Sequence, residues 1–243
     1  MLKAKNINIL FNYFCISLVF PISLYAGVII EQIEGSTNYS GTLNTVLYFS
    51  GDNMRTDELE SNITTISRFR EDTGYSVSHK KKTFIKYKLS EKARELTKII
   101  SQNSEKVIED TSLPVKKQLK IIKTGDTKVI NGFNVSRLNV IDDNKIIEEV
   151  WVTNDIDMSE VKNIIKKIKK QHELPPGFNN NEEYEVSKAI EDNGFLILSK
   201  RYSEILGENL EDFIEVKKIE KKKLEDDIFL PPEEYRELKM NVK

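Results

Sequence analysis

Apolar and polar residues alternate through the first half of the chain. Leu43, Thr45, Leu47 and Phe49 share one parity and Thr42 and Asn44 the other, so this stretch reads as a strand with one apolar face. Ile63, Thr65 and Phe69 alternate with Arg68 and Arg70, and Ile85, Tyr87 and Leu89 with Lys86 and Lys88. Gly51-Asp52-Asn53 and Asp72-Thr73-Gly74 supply turn chemistry between these runs, and Lys80-Lys81-Lys82 supplies charge. Short strands in series predict an antiparallel meander with one solvated face.

A second strand set is predicted over residues 129–141, 145–153, 195–206 and 210–220, with Asp142-Asp143-Asn144 as a hairpin turn between the first two. Apolar spacing slips by one between Phe133/Val135 and Leu138/Val140, which reads as a bulge. Trp151 lies mid-strand and is expected to be buried, with Val150 and Val152 on the opposite face.

Three helical patterns interrupt the strands. Ser90 is placed to cap a helix carrying Ala93, Leu96, Ile100 and Val107 on one side. Asp157-Met158-Ser159-Glu160 has the spacing of a capping box in its Asp form and opens a helix with Val161, Ile164, Ile165 and Ile168 inward. The other side of that helix is basic, with Lys162, Lys166, Lys167, Lys169 and Lys170. A weaker helix is predicted from about residue 181 to 191. No fixed-period repeat occurs.

Length and charge add little until the N-terminus is considered. The 243 residues carry a formal charge of −2, without the basic excess of most nucleic-acid binders. Lys3 and Lys5 precede an apolar run at residues 9–20, then Pro21, and Ala26 lies just before Gly27. This is the layout of a signal peptide over residues 1–26, leaving one domain at 27–243. The run is short for a bilayer span of roughly 20 residues. No later segment is apolar enough for one, so no transmembrane anchor is expected after cleavage. Cys15, the single cysteine, lies inside the run and lacks the small residues that precede a lipidated cysteine, so the mature chain would hold no disulfide.

No catalytic constellation is visible. His79 and His172 have no zinc-ligand spacing, and neither a nucleophile elbow nor a phosphate-binding glycine loop occurs. Glu225-Asp226-Asp227 and Asp142-Asp143 read as solvated acidic pairs. The expectation is therefore a binding protein rather than an enzyme, with no catalytic residue, cofactor or metal. The basic helix face of Lys162, Lys166 and Lys169 is a candidate surface for anionic lipid or an acidic partner.

The order of several short motifs carries a resemblance. Residues 27–35 are followed by LYFSGDNMRTD, KTFIKYKL, NGFNVSRLNV and EEVWVTNDIDMSE, and the tail reads IFLPPEEY, with Phe229, Pro231, Pro232 and Tyr235. This order resembles a bacterial secreted family of domains of unknown function, with a fold like that of the outer-membrane lipoprotein carrier LolA and its LolB- and LppX-like relatives. The resemblance implies an α+β fold in which a curved antiparallel sheet, an open half-barrel, wraps around a few helices. In characterised relatives the concave apolar side holds acyl chains in transit or senses misassembled envelope proteins. Here that side would carry Leu47, Phe49, Ile85 and Tyr87, and its ligand would be a lipid, an acyl chain, a lipoprotein or another hydrophobic envelope protein. The alternative is an envelope structural or interaction module whose helices fill the groove and leave no ligand site. Either reading places the protein in the periplasm or outside the cell.

Overall fold

Alternating parity becomes strand after strand. The computed structural model of the protein describes residues 27–37, 41–95, 119–171, 181–205 and 208–239. The first strands are β1 (Gly27–Ser36), β2 (Thr42–Ser50), β3 (Asn53–Glu58), β4 (Ile63–Arg68), β5 (Thr73–Ser78) and β6 (Thr83–Lys88). The later ones are β7 (Lys120–Ile130), β8 (Phe133–Asp142), β9 (Lys145–Thr153), β10 (Phe195–Ile205), β11 (Glu208–Lys222) and the short β12 (Arg236–Glu237). Helix α1 occupies 89–95, α2 is Ser159–Gln171 and α3 is Asn181–Asn193.

All twelve strands form one curved open sheet in the order β12-β6-β5-β4-β3-β2-β1-β11-β10-β9-β8-β7. Every pair is antiparallel except β12 with β6. β1 pairs with β2 on one side and β11 on the other, so the two predicted strand sets join at the start of the described chain. The predicted α+β class with an open antiparallel sheet is what the structure shows. Among the described residues no helix is long and apolar enough to cross a membrane.

The register assigns the faces. One cross-strand row runs Ile30, Leu47, Thr56, Thr65, Ser76, Ile85, and the next runs Val28, Phe49, Met54, Ser67, Gly74, Tyr87. These rows lie on the face that carries α2, whose Val161 and Ile164 join Val28, Ile30 and Phe49 in the main core. Further along that face α3 lays Val186 and Ile190 on Leu138, Val140, Val150 and Val152. Trp151 is turned the other way and only 6% exposed, with the Lys128 ammonium 3.8 Å from its ring centre.

Three local expectations are corrected. In β4 the buried residues are Thr64 and Ile66, whereas Ile63 is 36% exposed. Ile66 faces away from the helices, where it meets Tyr75, Val77 and Phe229, so this wing of the sheet is covered on its far face too. The predicted strand over 129–141 is a hairpin. Asn131 and Gly132 both take positive φ (49° and 87°) and separate β7 from β8, as an Asn-Gly pair favours. The slip inside it is no bulge of β8. Val135 packs on one face and Leu138 and Val140 on the other, because both faces are covered, and the β7–β8 register shift falls between Lys123 and Thr127. Thirdly, Ser90 does not cap α1 with its own side chain. Its N–H and Oγ–H donate to Asp72, at 2.8 and 2.6 Å. Ala93 is buried as expected, and Leu96, Ile100 and Val107 lie outside the described residues.

Candidate functional site

Helix α2 is fixed at its start and along its side by the first hairpin. Asp157 accepts the Ser159 N–H at 3.0 Å, and hydrogen bonds to Ser159 hold its carboxyl below the usual carboxylate range. Glu160 does not close the predicted capping box. It accepts the Gly51 N–H, at 2.9 Å, from the β2–β3 turn, and Lys167 pairs with Asp52 of the same turn. Lys162 donates to the Glu191 carbonyl at 3.1 Å, in the last turn of α3, where a helix favours positive charge. Gly194 follows α3 with φ of 147°, and a Cβ there would lie 2.4 Å from the Thr153 carbonyl oxygen, so this close junction of α3 and β9 admits glycine alone.

Held in this way, the two helices leave a cavity of about 250 Å³ against the sheet. Ile30, Leu47 and Phe49 line it from the strands, and Val161, Ile165 and Ile190 from the helices. Gln32, Lys162 and Glu191 add polarity. A larger cavity of about 510 Å³ lies on the same face, and Leu196 borders both. Its floor is formed by β1, β11, β10 and β9, where Glu148 accepts the Ser199 hydroxyl at 2.6 Å and Arg201 at 3.3 Å. A third cavity, about 320 Å³, lies on the far face between Tyr75, Phe84 and the Pro231-Pro232 segment.

The predicted groove residues divide. Leu47 and Phe49 line the helix-side cavity. Ile85 and Tyr87 share their face but stand four strands away, about 19 Å at the usual strand spacing. Between them the row is Thr56, Thr65 and Ser76, so the middle of this face is hydroxylated rather than apolar. Tyr87 lies over Gly74, where a Cβ would sit 2.4 Å from its ring. The predicted basic face divides as well. Lys162 and Lys167 tie α2 to its neighbours, Lys166 is exposed, and the side chain of Lys169 lies outside the described residues.

Sequence reading misses Ile190 and the Glu148–Ser199–Arg201 group. Ile190 follows Val186 at helical spacing in the weakest of the three helical patterns. Glu148, Ser199 and Arg201 come from two strands whose register no local pattern specifies. His79 serves the fold: its ring nitrogens lie 2.8 Å from Thr64 Oγ1 and 3.1 Å from the Tyr235 hydroxyl, while Thr64 donates to Asp57 at 2.6 Å. His172 lies outside the described residues.

No curated protein sequence matches the chain. Among solved structures it is similar to an uncharacterized conserved protein from Thermus thermophilus, at 8% identity and a TM-score of 0.45, over 89% of this chain and 92% of that one. A putative outer membrane lipoprotein-sorting protein domain from Vibrio parahaemolyticus is similar at 12% identity and a TM-score of 0.29, over 84% and 89%. A DUF1329 family protein from Desulfovibrio piger is similar at 9% identity and a TM-score of 0.24, over 86% and 92%. The family model for the domain of unknown function DUF4412 matches residues 30–235, the span that includes both the Gly-Asp-Asn-Met turn and the Phe-x-Pro-Pro tail, and the chain belongs to that family.

Proposed function

We propose that the protein is an exported cell-envelope protein that binds the apolar chain of a lipid or of a lipidated partner, as a carrier or sensor. The observation that carries this reading is the cavity between α2, α3 and the sheet, where Leu47 and Phe49 face Val161, Ile165 and Ile190. With the adjoining larger cavity it supplies a volume within the roughly 300–1,000 Å³ of small-molecule sites. Each methylene moved from water into such a lining contributes about 0.8 kcal/mol. A chain of roughly a dozen carbons therefore contributes about 10 kcal/mol, and against an association cost of about 4 kcal/mol, the low end of the range, it reaches an affinity of about 0.1 mM. Export would follow from residues 1–26 acting as a signal peptide, and an intact-mass measurement on the exported protein should then show a chain beginning at Gly27.

Titration with a fluorescent fatty acid tests the binding. Saturable uptake is expected, and Leu47→Asp should abolish it while leaving the circular dichroism spectrum unchanged. Absence of saturable binding by the wild-type protein would instead support a structural module whose helices fill the space over the sheet.

A further inference from the structure

We infer that Leu196 sets the length of alkyl chain the protein accepts, by dividing the smaller cavity from the larger; this rests on the chain-binding reading above. Among the described residues Leu196 alone lines both cavities. On β1 the smaller lining ends at Gln32 and the larger begins at Glu34, and on β11 the same step runs from Val216 to Ile214. Successive side chains of one parity on a strand stand about 7 Å apart, so the two floors adjoin there. Gln32 even donates to Glu34 across the boundary, at 2.8 Å. On β2, by contrast, Thr45 separates Leu47 from Leu43, lines neither cavity and is 5% exposed, so the boundary is closed on that strand. What stands between the cavities over the adjoining floors is the Leu196 side chain.

A bulge puts Leu196 in that place. Leu198 lies opposite Trp151 and Leu196 opposite Val152, so Ile197 is one residue more than β9 can pair. Residues two apart on a regular strand share a face. With the extra residue, Leu198 goes with Trp151 to the far face, and Leu196 goes with Val152 to the face that carries α3. Bulges re-aim side chains in this way, and Ile197 is itself fully buried, at 0% exposure. Gly194 fixes the start of the strand, because its N–H donates to the Ile190 carbonyl at 2.9 Å. Leu196 and Ile190 consequently pack on one cluster, which holds the partition in place. The polar end of the ligand belongs beside Lys162 and Glu191, the charged residues of the smaller cavity, and its methyl end then meets Leu196. A cavity of about 150 Å³ takes the six carbons of benzene, so by proportion one of about 250 Å³ takes about ten.

Displacement of a fluorescent fatty acid from the full chain by straight-chain alkanoates, from hexanoate to hexadecanoate, reads the limit. Affinity should rise about fourfold with each methylene and level off at about ten carbons. Leu196→Ala joins the cavities and should carry the rise a few carbons further. Leu196→Val should do so by less, and it serves if circular dichroism shows the alanine variant unfolded. Leu196→Phe should end the rise earlier. Leu43→Ala enlarges the larger cavity alone and should leave the wild-type limit where it is. A wild-type rise that continues to hexadecanoate, a limit that trimming Leu196 leaves unmoved, or one that Leu43→Ala moves overturns the partition and leaves chain binding standing. Displacement by none of the alkanoates overturns both.

Discussion

At the scale of single residues, two polar–aromatic details decide local stability. Tyr87 covers Gly74 across the β5–β6 pair, a large ring filling the space that a side chain would otherwise take. Gly74→Ala would place a Cβ 2.4 Å from that ring and 2.9 Å from Leu89. The ring must then leave, and overpacking of this kind costs about 1–3 kcal/mol. A fall in the urea midpoint is expected for Gly74→Ala, and a much smaller one when the same change is made in a Tyr87→Ala background. The second detail is Asp72, which sits at φ of 49° and takes both the hydroxyl and the N–H of Ser90. Those hydrogen bonds, the hydroxyl's foremost, hold its carboxyl below the ordinary aspartate value. A carboxyl lowered in the folded state adds stability that is complete above the unfolded value, about 3.9, and is lost as pH falls through the folded one. Asp72→Asn tolerates the same backbone conformation but lacks the charge. The stability gap between wild type and this variant should therefore be constant from pH 7 to about 5 and close below about 3.9. A gap unchanged down to pH 2 would show that Ser90 does not stabilise the ionised form.

At the scale of elements, the Gly-Asp-Asn-Met turn explains why a plain hairpin matters. Gly51 and Asp52 receive Glu160 and Lys167, so the β2–β3 turn positions α2 over Leu47 and Phe49. Lys167 and Asp52 are each about two-fifths exposed, which limits that pair to under about 1 kcal/mol. The Glu160 bond to a backbone N–H adds about 1 kcal/mol. Glu160→Ala should accordingly raise amide exchange in α2 by about fivefold and leave β8 and β9 unchanged, as hydrogen-exchange mass spectrometry would read. Equal acceleration in both places would mean that α2 opens only with the whole sheet. How legible these elements are in the sequence follows the same physics. α2 announces itself because one of its sides is covered and the other wet, and β2 because Leu47 and Phe49 face the helices while Asn44 does not. β4 and β8 mislead because each is covered on both faces, so parity no longer reports inside and outside. β7 is hidden by Asn131-Gly132, which passes for strand between apolar neighbours although both residues favour positive φ. The cavities are illegible for a different reason. Their walls join β1, β2, β10 and β11 with two helices, and no spacing within 243 residues specifies which of these become neighbours.

At the scale of the whole molecule, the described strands form an open sheet of twelve that ends in β12 and β7, and its wings need something to bind them together. The Phe-x-Pro-Pro tail does this for one wing. Leaving β11, which pairs with β1, it carries Leu224 across Gly27 and places Phe229, at 0% exposure, among Ile66, Tyr75 and Val77. Arg55 donates to the Ile228 carbonyl at 2.9 Å, Tyr235 meets His79, and β12 then pairs with β6 at the sheet's edge. One short segment thus spans from the central strand to the outermost one. Phe229→Ala empties the centre of this small core and should cost about 3–5 kcal/mol. Trp151 lies in the other wing and does not touch Phe229, which makes it a reporter of coupling. Because Val28 and Ile30 of β1 belong to the same buried cluster as Trp151, the wings share one core through β1 and should unfold together. Urea unfolding of Phe229→Ala followed by tryptophan emission should therefore shift as far as unfolding followed by far-ultraviolet circular dichroism. If the dichroism shifts while the Trp151 transition stays in place, the wings are separate folding units and β1 does not couple them.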